Sequence, residues 1–418
     1  MPRVAAVLLA LAACKSPSIN DKHSAAAAPP PPAAAATAAP VPSKVGLVEG
    51  GVRPHHEEPV VECPAKIAET ADDDTRVAAL IEEANKQIER GGFGAAWTCA
   101  DRAADLAPTS VEAHHLRGAA LAALGRDQEA QTAYGLALAL DPDDPETLRA
   151  VADFYINGKG ERGRDALRLG LELAQRGSRR ALARRKRNVP LAADLAVLEA
   201  QALNDLGRSD EALERVDAAL RIAPGRGDAL HEKGVALFDL SRFAEAKVAF
   251  QKALTIQPDD AYTHQMFGLA LEQLRDPQAD AELKRAIELA PAELSLPVLV
   301  SVPEFQKEID AVMATLPAER RAKVSSIKIE IADLPDPADL RAVSPPFPPT
   351  ILGLYRGPVG RSPTTADEPP SIVLYRKNLA RAVKSRVELT EQIRDTLLHE
   401  IGHLEGLDED DLRRRGME

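Results

Sequence analysis

The chain has 418 residues, which is long enough for two or three domains. Hydrophobic residues make up 45% of the sequence and aromatic residues only 3%, a composition that suits closely packed helices rich in alanine and leucine. The formal net charge of −12 disfavours a general nucleic-acid-binding function.

The first residues have the pattern of a secretory signal peptide. Arg3 supplies a positive charge, and the apolar run over 4–13 is too short for a usual membrane span. Residues 11–14, Leu-Ala-Ala-Cys, resemble a bacterial lipobox, and the resemblance implies cleavage before Cys14 and acylation of Cys14. We therefore expect residues 1–13 to be removed and the mature protein to be lipid-anchored in the bacterial cell envelope, facing the periplasm. An ordinary signal peptide followed by a chance cysteine is the alternative.

Residues 14–62 form a linker rich in alanine and proline, a composition that favours an extended, semi-rigid spacer. A lead-in segment over 63–76 follows. If Cys14 is acylated, the two remaining cysteines are Cys63 and Cys99. An isolated pair in an oxidising compartment often forms a disulfide, so we expect these two to pair; two buried free thiols are the alternative.

A 34-residue pattern repeats from Val77. Small residues recur at the eighth position, alanine at the twentieth and twenty-seventh, and proline at the thirty-second. The eighth positions are Ala84, Gly118, Ala152, Ala200, Gly234 and Gly268, and the prolines are Pro108, Pro142, Pro224 and Pro258. These positions resemble the tetratricopeptide repeat (TPR) family, in which small residues let two helices approach closely. The resemblance implies an α-solenoid over 77–293 with a concave surface that binds a peptide or protein partner.

Two copies depart from the pattern. The third, over 145–178, lacks the later alanine and proline, and the last is one residue short with Pro277 between its helices. A basic insertion near 176–192 separates the third and fourth copies. We predict a solvated helix or loop there; binding to an anionic surface or to lipid headgroups is the alternative.

The C-terminal part, 302–418, has a mixed pattern of helices and strands. Residues 303–316 form an amphipathic helix pattern, and the alternation of apolar residues over 324–331 predicts a strand. A further strand is predicted over 371–375, and two helices are expected to close the chain. The predicted fold is therefore mainly α: a TPR solenoid followed by a small α+β domain.

The last of these helices carries the motif H-E-x-x-H. His399 and His403 lie four residues apart, so one helix face can direct both rings at a single metal ion. Two imidazoles suit Zn²⁺, which in catalytic sites also needs a third protein ligand and a position for water. Glu400 can take a proton from that water. Gly406 is expected to end the helix, after which the acidic cluster at 408–411 can supply the third ligand.

Segments 352–357, 372–376 and 396–403 resemble a small bacterial family of zincin-like metallopeptidases. The resemblance implies zinc ligation by His399 and His403, with Glu400 as the catalytic base. It also implies an acidic third ligand three residues after the glycine, which is Glu409 here, with Asp408 as the fallback. One departure from the family pattern is the pair 404–405, Leu-Glu, which adds a carboxylate beside the site.

Two functions remain open from the sequence. The first is a lipid-anchored zinc metallopeptidase whose TPR repeats recruit a protein substrate or partner. The second is a non-catalytic TPR scaffold lipoprotein of envelope assembly, with a structural or inactive zincin-like domain. Tyr355 and Tyr375 are candidate transition-state donors, with a role in the core or at the rim of the site as the alternative for each.

Overall fold

The computed structural model describes residues 61–68, 70–158, 163–183, 188–325, 327–357, 369–407 and 409–414. The predicted signal peptide, Cys14 and nearly all of the linker lie outside these residues. Among the helices that are described, none is both long enough and apolar enough to cross a membrane.

Within the described residues, twelve helices precede the C-terminal domain and pack as six consecutive pairs. They are α1 (Asp73–Glu89), α2 (Phe93–Leu106), α3 (Val111–Ala123), α4 (Asp127–Leu140), α5 (Pro145–Asn157), α6 (Arg164–Ala183), α7 (Val189–Asp205), α8 (Ser209–Ile222), α9 (Gly227–Asp239), α10 (Phe243–Ile256), α11 (Ala261–Gln273) and α12 (Ala279–Leu289). The solenoid predicted from the 34-residue pattern is confirmed.

The recurring small residues allow the two helices of a pair to approach closely. A Cβ atom added to Gly118 on α3 would lie 2.6 Å from the ring of Tyr134 on α4. Gly234 on α9 lies in the same way against Phe250 on α10. An aromatic ring of the second helix therefore fills the space that a larger residue of the first would need.

The second helices of several pairs begin with the same ion pair. Arg126 and Glu129 form two hydrogen bonds of 2.8 and 2.6 Å between the guanidinium and the carboxylate. The pairs Arg208–Glu211 and Arg242–Glu245 repeat this contact at the same place in later repeats. Because these pairs are largely exposed, they fix local geometry more than they add stability.

The third repeat is more regular than its sequence suggested. It is a full helix pair, α5 and α6, and α6 includes the first part of the predicted basic insertion, as far as Ala183. Residues 189–192, the last part of the predicted insertion, begin α7, and 184–187 lie outside the described residues. Arg176 and Arg180 both pair with Asp143, at 2.8 and 2.6 Å, so these two cations bind a carboxylate of the array.

At the N-terminal end of the array, Cys63 and Cys99 form a disulfide, with Cα atoms 4.9 Å apart. This is the pairing that the cysteine count predicted. The Thr98 hydroxyl also donates a 2.7 Å hydrogen bond to the Val61 carbonyl oxygen. The extended segment before α1 is thus attached to α2.

The C-terminal domain contains six helices and a small sheet among its described residues. They are α13 (Val302–Thr315), α14 (Ala318–Val324), β1 (Lys328–Ala332), α15 (Pro337–Leu340), β2 (Gly353–Arg356), β3 (Ser371–Tyr375), α16 (Arg376–Arg381), α17 (Arg386–Leu404) and α18 (Glu409–Arg414). The strand order is β1-β3-β2, with β1 parallel and β2 antiparallel to the central β3.

Two sequence-based expectations for this domain were wrong in detail. The strand predicted over 324–331 begins only at Lys328, because residues 318–324, Ala-Glu-Arg-Arg-Ala-Lys-Val, are mostly good helix formers and make up α14. Three helices follow β3 instead of two, since a short helix forms again after the turn at Gly406.

Alternate residues of β3 belong to two different apolar cores. Ile372 and Leu374 pack in one core with Ile393, Leu397 and Ile401 of α17. Their neighbours Val373 and Tyr375 pack in a second core that also contains Phe238 of α9 and Leu271 of α11. Because successive side chains of a strand point to opposite faces, one face of the sheet is covered by α17 and the other by the last repeats.

A buried carboxylate, that of Glu272, lies where the last repeats contact the C-terminal domain. Glu272 on α11 is only 8% exposed. Its carboxylate accepts hydrogen bonds from Lys377 Nζ at 2.7 Å and from Arg381 Nη2 at 2.6 and 2.7 Å. Both cations lie on α16, so this cluster, Glu272 with Lys377 and Arg381, joins the array to the C-terminal domain.

Candidate metal centre

Helix α17 brings the H-E-x-x-H residues into the interior of the domain. The residue before it, Ser385, caps the helix, because its side chain accepts a hydrogen bond from the Glu388 N–H at 3.2 Å. Ile393, Leu397 and Ile401 form an apolar stripe on α17 that packs against the sheet. His399, Glu400 and His403 are 6%, 5% and 6% exposed, so all three side chains of the motif are buried.

The two histidine rings face each other as one ion would require. Their Nε2 atoms lie 3.2 Å apart, and the rings meet edge to face at 84°. The Nδ1 atom of His403 lies 3.1 Å from the Leu407 carbonyl oxygen, to which an Nδ1–H donates. In that tautomer the Nε2 lone pair of His403 is available to a metal ion.

The spacing fits zinc. A tetrahedral zinc ion with Zn–N bonds of about 2.0–2.1 Å separates two ligand nitrogens by about 3.3–3.4 Å. The observed 3.2 Å is close to that value. Within the described ranges, no group of three or more His, Cys, Asp or Glu side chains is arranged to hold a metal. Of the three predicted ligands, His399 and His403 have described side chains.

The end of α17 provides the turn that a third ligand needs. Gly406 has φ +85°, which a glycine adopts without steric cost, and its N–H donates to the His403 carbonyl oxygen at 3.0 Å. The Leu407 N–H bonds the Gly402 carbonyl oxygen at 3.0 Å, completing a Schellman motif. Glu409 is the first residue of α18, and Asp408 lies outside the described residues. Their assignment as third ligand therefore stays a prediction.

Glu400 is held against the sheet. Its Oε2 accepts a 2.7 Å hydrogen bond from the backbone N–H of Tyr355 on β2. A Cβ atom at Gly353, two residues earlier on the same strand, would lie 3.2 Å from Glu400 Oε1 and 2.7 Å from Thr396 Cγ2. The glycine therefore permits β2 to lie directly against the turn of α17 that carries Glu400.

Glu405, the carboxylate that departs from the family pattern, has a partner of its own. Its Oε1 lies 3.1 Å from Nζ of Lys323 on α14. The Glu405 carboxylate raises the pKa of Lys323 above its usual value. The departure thus provides an ion pair between the end of α17 and α14. No sequence pattern indicates this pair, because the partners are 82 residues apart.

The two tyrosine candidates lie in apolar cores. Tyr375 is fully buried and packs in the core shared with the repeats, and burial, followed by the negative charge of Asp339, raises the pKa of its phenol. Tyr355 packs in the core beneath α17, and burial raises its pKa as well. The core position that the sequence offered as the alternative describes both side chains.

Comparisons with known families agree with this architecture. A family model described as zincin-like metallopeptidase matches residues 324–417, and one described as tetratricopeptide repeat matches 111–144 and 227–260. The chain therefore combines TPR repeats with a C-terminal zincin-like metallopeptidase domain. No curated protein sequence matches it.

Several solved structures resemble the chain at low identity. PilF of Pseudomonas aeruginosa is 15% identical with a TM-score of 0.45, over 57% of this chain and 99% of its own. PilW, described as a type IV pilus biogenesis factor, is 15% identical with a TM-score of 0.45, over 51% and 94%. A TPR protein of Thermus thermophilus is 19% identical with a TM-score of 0.38, over 47% and 99%.

Proposed function

We propose that the C-terminal domain is a zinc-dependent peptidase and that the TPR repeats bring a protein substrate or partner to it. The observation that carries the proposal is the geometry on α17. Two buried imidazoles present Nε2 atoms at ligand spacing, and a buried carboxylate lies beside them. A domain that used His399 and His403 only for packing would not need Glu400 between them, held at the sheet edge.

In this proposal His399 and His403 hold the ion with an acidic residue from the following turn, Glu409 or Asp408. Bound zinc supplies Lewis acidity, which lowers the pKa of water and polarises a peptide carbonyl. Glu400 accepts a proton from the attacking water on its carboxylate and later donates it to the leaving amine. The Leu407 carbonyl oxygen orients His403, since its bond to Nδ1 fixes the ring tautomer.

The scaffold function is the second candidate, and one observation favours it. The zincin-like domain covers the end of the TPR array through a shared apolar core and the buried Glu272 cluster. A solenoid needs its last repeat covered, so the domain has a structural role whether or not it is active. In this alternative, protein binding by the repeats is the whole function.

The proposed location is the bacterial cell envelope, with a lipid on Cys14 as the anchor and the folded part facing the periplasm. Cys14→Ser is expected to release the protein from the membrane fraction, because that lipid is the anchor the sequence indicates. Unchanged retention of the variant in membranes would contradict the lipoprotein assignment.

The peptidase proposal is tested by hydrolysis of an unfolded protein. We expect Glu400→Gln to bind zinc like the wild type but to cleave about 100-fold more slowly or worse, the usual contribution of a positioned base. His403→Ala serves as the metal-binding control and should lose both zinc and activity. Equal cleavage by wild type and Glu400→Gln would leave the scaffold function.

A further inference from the structure

Strand β2, at one edge of the sheet, lies beside α17, the helix that carries the proposed metal ligands. Part of its backbone faces that helix. In an antiparallel pair, alternate residues direct their N–H and C=O groups to the partner strand. The Leu352 carbonyl oxygen accepts from the Tyr375 N–H at 2.9 Å, so Leu352, Leu354 and Arg356 face β3. Gly353 and Tyr355 direct their backbone polar groups away from β3, and the Tyr355 N–H donates to Glu400 instead.

The hydrogen bond from the Tyr355 N–H fixes the position of one carboxylate oxygen of Glu400, Oε2. A buried carboxylate needs hydrogen bonds, and a bond from an N–H to a carboxylate is stronger than one between neutral groups. The bond is short, at 2.7 Å, and its donor belongs to a strand that is itself held in the sheet. A backbone donor has no rotamers, so it restricts the glutamate more than a side-chain donor would.

The other carboxylate oxygen of Glu400, Oε1, faces Gly353, which has no side chain. A Cβ atom there would lie 3.2 Å from Glu400 Oε1, tighter than an ordinary contact. The two residues therefore act together: Tyr355 holds Oε2, while Gly353 keeps a side chain away from Oε1.

We propose that Gly353 and the Tyr355 N–H are positioning residues for Glu400, fixing which carboxylate oxygen takes the proton. The proposal rests on the peptidase function for its effect on rate, but the contact itself can be tested without activity. Each of the two residues acts through the carboxylate.

The contact is tested by hydrogen exchange at the Tyr355 amide. Wild type and Glu400→Gln should both protect this amide, because the glutamine side chain retains an oxygen acceptor. Glu400→Ala should exchange about tenfold faster or more, with the Leu354 amide, which faces β3, unchanged as the internal control. Equal exchange at Tyr355 in all three proteins would overturn the proposal, even if the wild type is an active peptidase.

The effect on rate is tested with two substitutions at one position. Tyr355→Pro removes both the N–H and the ring, whereas Tyr355→Ala removes the ring alone; proline is tolerated on an edge strand where the N–H does not serve the sheet. We expect Tyr355→Pro to lower kcat about tenfold to a hundredfold more than Tyr355→Ala, with similar KM and zinc content.

Equal kcat in the two variants would overturn the positioning role. A wild type without peptidase activity would refute the proposed function instead, and the exchange measurement would still decide whether Tyr355 holds Glu400. The two failures are therefore distinguishable.

Discussion

The two ends of the TPR array are closed in different ways. At the first repeat the closure is covalent and local: Cys63 and Cys99 are 36 residues apart and attach the lead-in segment to α2. At the last repeat it is non-covalent and distant: Glu272 binds Lys377 and Arg381, more than 100 residues later in the chain. The disulfide attaches a short segment to the array, whereas the Glu272 cluster attaches a whole domain.

The contact at the last repeat also sets the position of the candidate metal centre relative to the array. The core shared by Phe238, Leu271 and Tyr375 holds one face of the sheet, while the other face supports α17. Helix α17 is therefore connected to the repeats through the three-stranded sheet and not through a flexible tether. A partner held by the repeats would lie at a fixed position relative to His399 and His403.

Removal of the disulfide should have the largest effect on stability. We expect Cys63→Ser/Cys99→Ser to lower the free energy of unfolding by about 3–4 kcal/mol, the chain-entropy value for a loop of this length. Chemical denaturation of the oxidised wild type and the variant gives the difference, with reduced wild type as the control. A change below about 1 kcal/mol would mean that the unfolded chain is already compact there.

The disulfide could be predicted from the sequence, and the Glu272 cluster could not. Counting cysteines left Cys63 with a single partner, and the H-E-x-x-H spacing identified His399, Glu400 and His403. Contacts between distant residues leave no such pattern. An isolated glutamate in a repeat looks like surface charge, so nothing about Glu272 indicated that it would be buried by α16. The same holds for Lys323 with Glu405 and for the Tyr355 N–H with Glu400.

Disruption of the Glu272 cluster should have the next largest effect on the free energy of unfolding. Glu272→Leu leaves Lys377 and Arg381 without their carboxylate, and we expect a loss of about 2–3 kcal/mol, less than for fully buried ions because both cations reach water. Glu211→Leu, which breaks an exposed pair with Arg208, is the matched control and should cost under about 1 kcal/mol. Equal losses in the two variants would show that Glu272 does not hold the domains together.

A smaller, pH-dependent change in the free energy of unfolding is expected from Asp239, within the TPR array. Burial, together with the charge of Glu232, raises the pKa of Asp239 to about 7, although a 3.1 Å hydrogen bond from Ser209 opposes the shift. The unfolded value is about 4, so this group's stabilising contribution is complete below pH 4 and is lost as pH rises through 7.

Asp239→Asn should therefore be more stable than wild type at pH 8, by on the order of 1–2 kcal/mol, with little difference at pH 4. Denaturation curves at the two pH values provide the measurement. A variant with the same pH dependence as wild type would contradict the burial of this charge.

The most direct measurement of the central claim is the zinc content of the purified protein. The spacing of the His399 and His403 Nε2 atoms predicts one zinc ion per chain, retained in Glu400→Gln and lost in His403→Ala. Glu409→Ala should weaken binding more than Asp408→Ala if Glu409 is the third ligand. Wild-type protein that takes up no zinc, or His403→Ala protein that keeps it, would contradict the account.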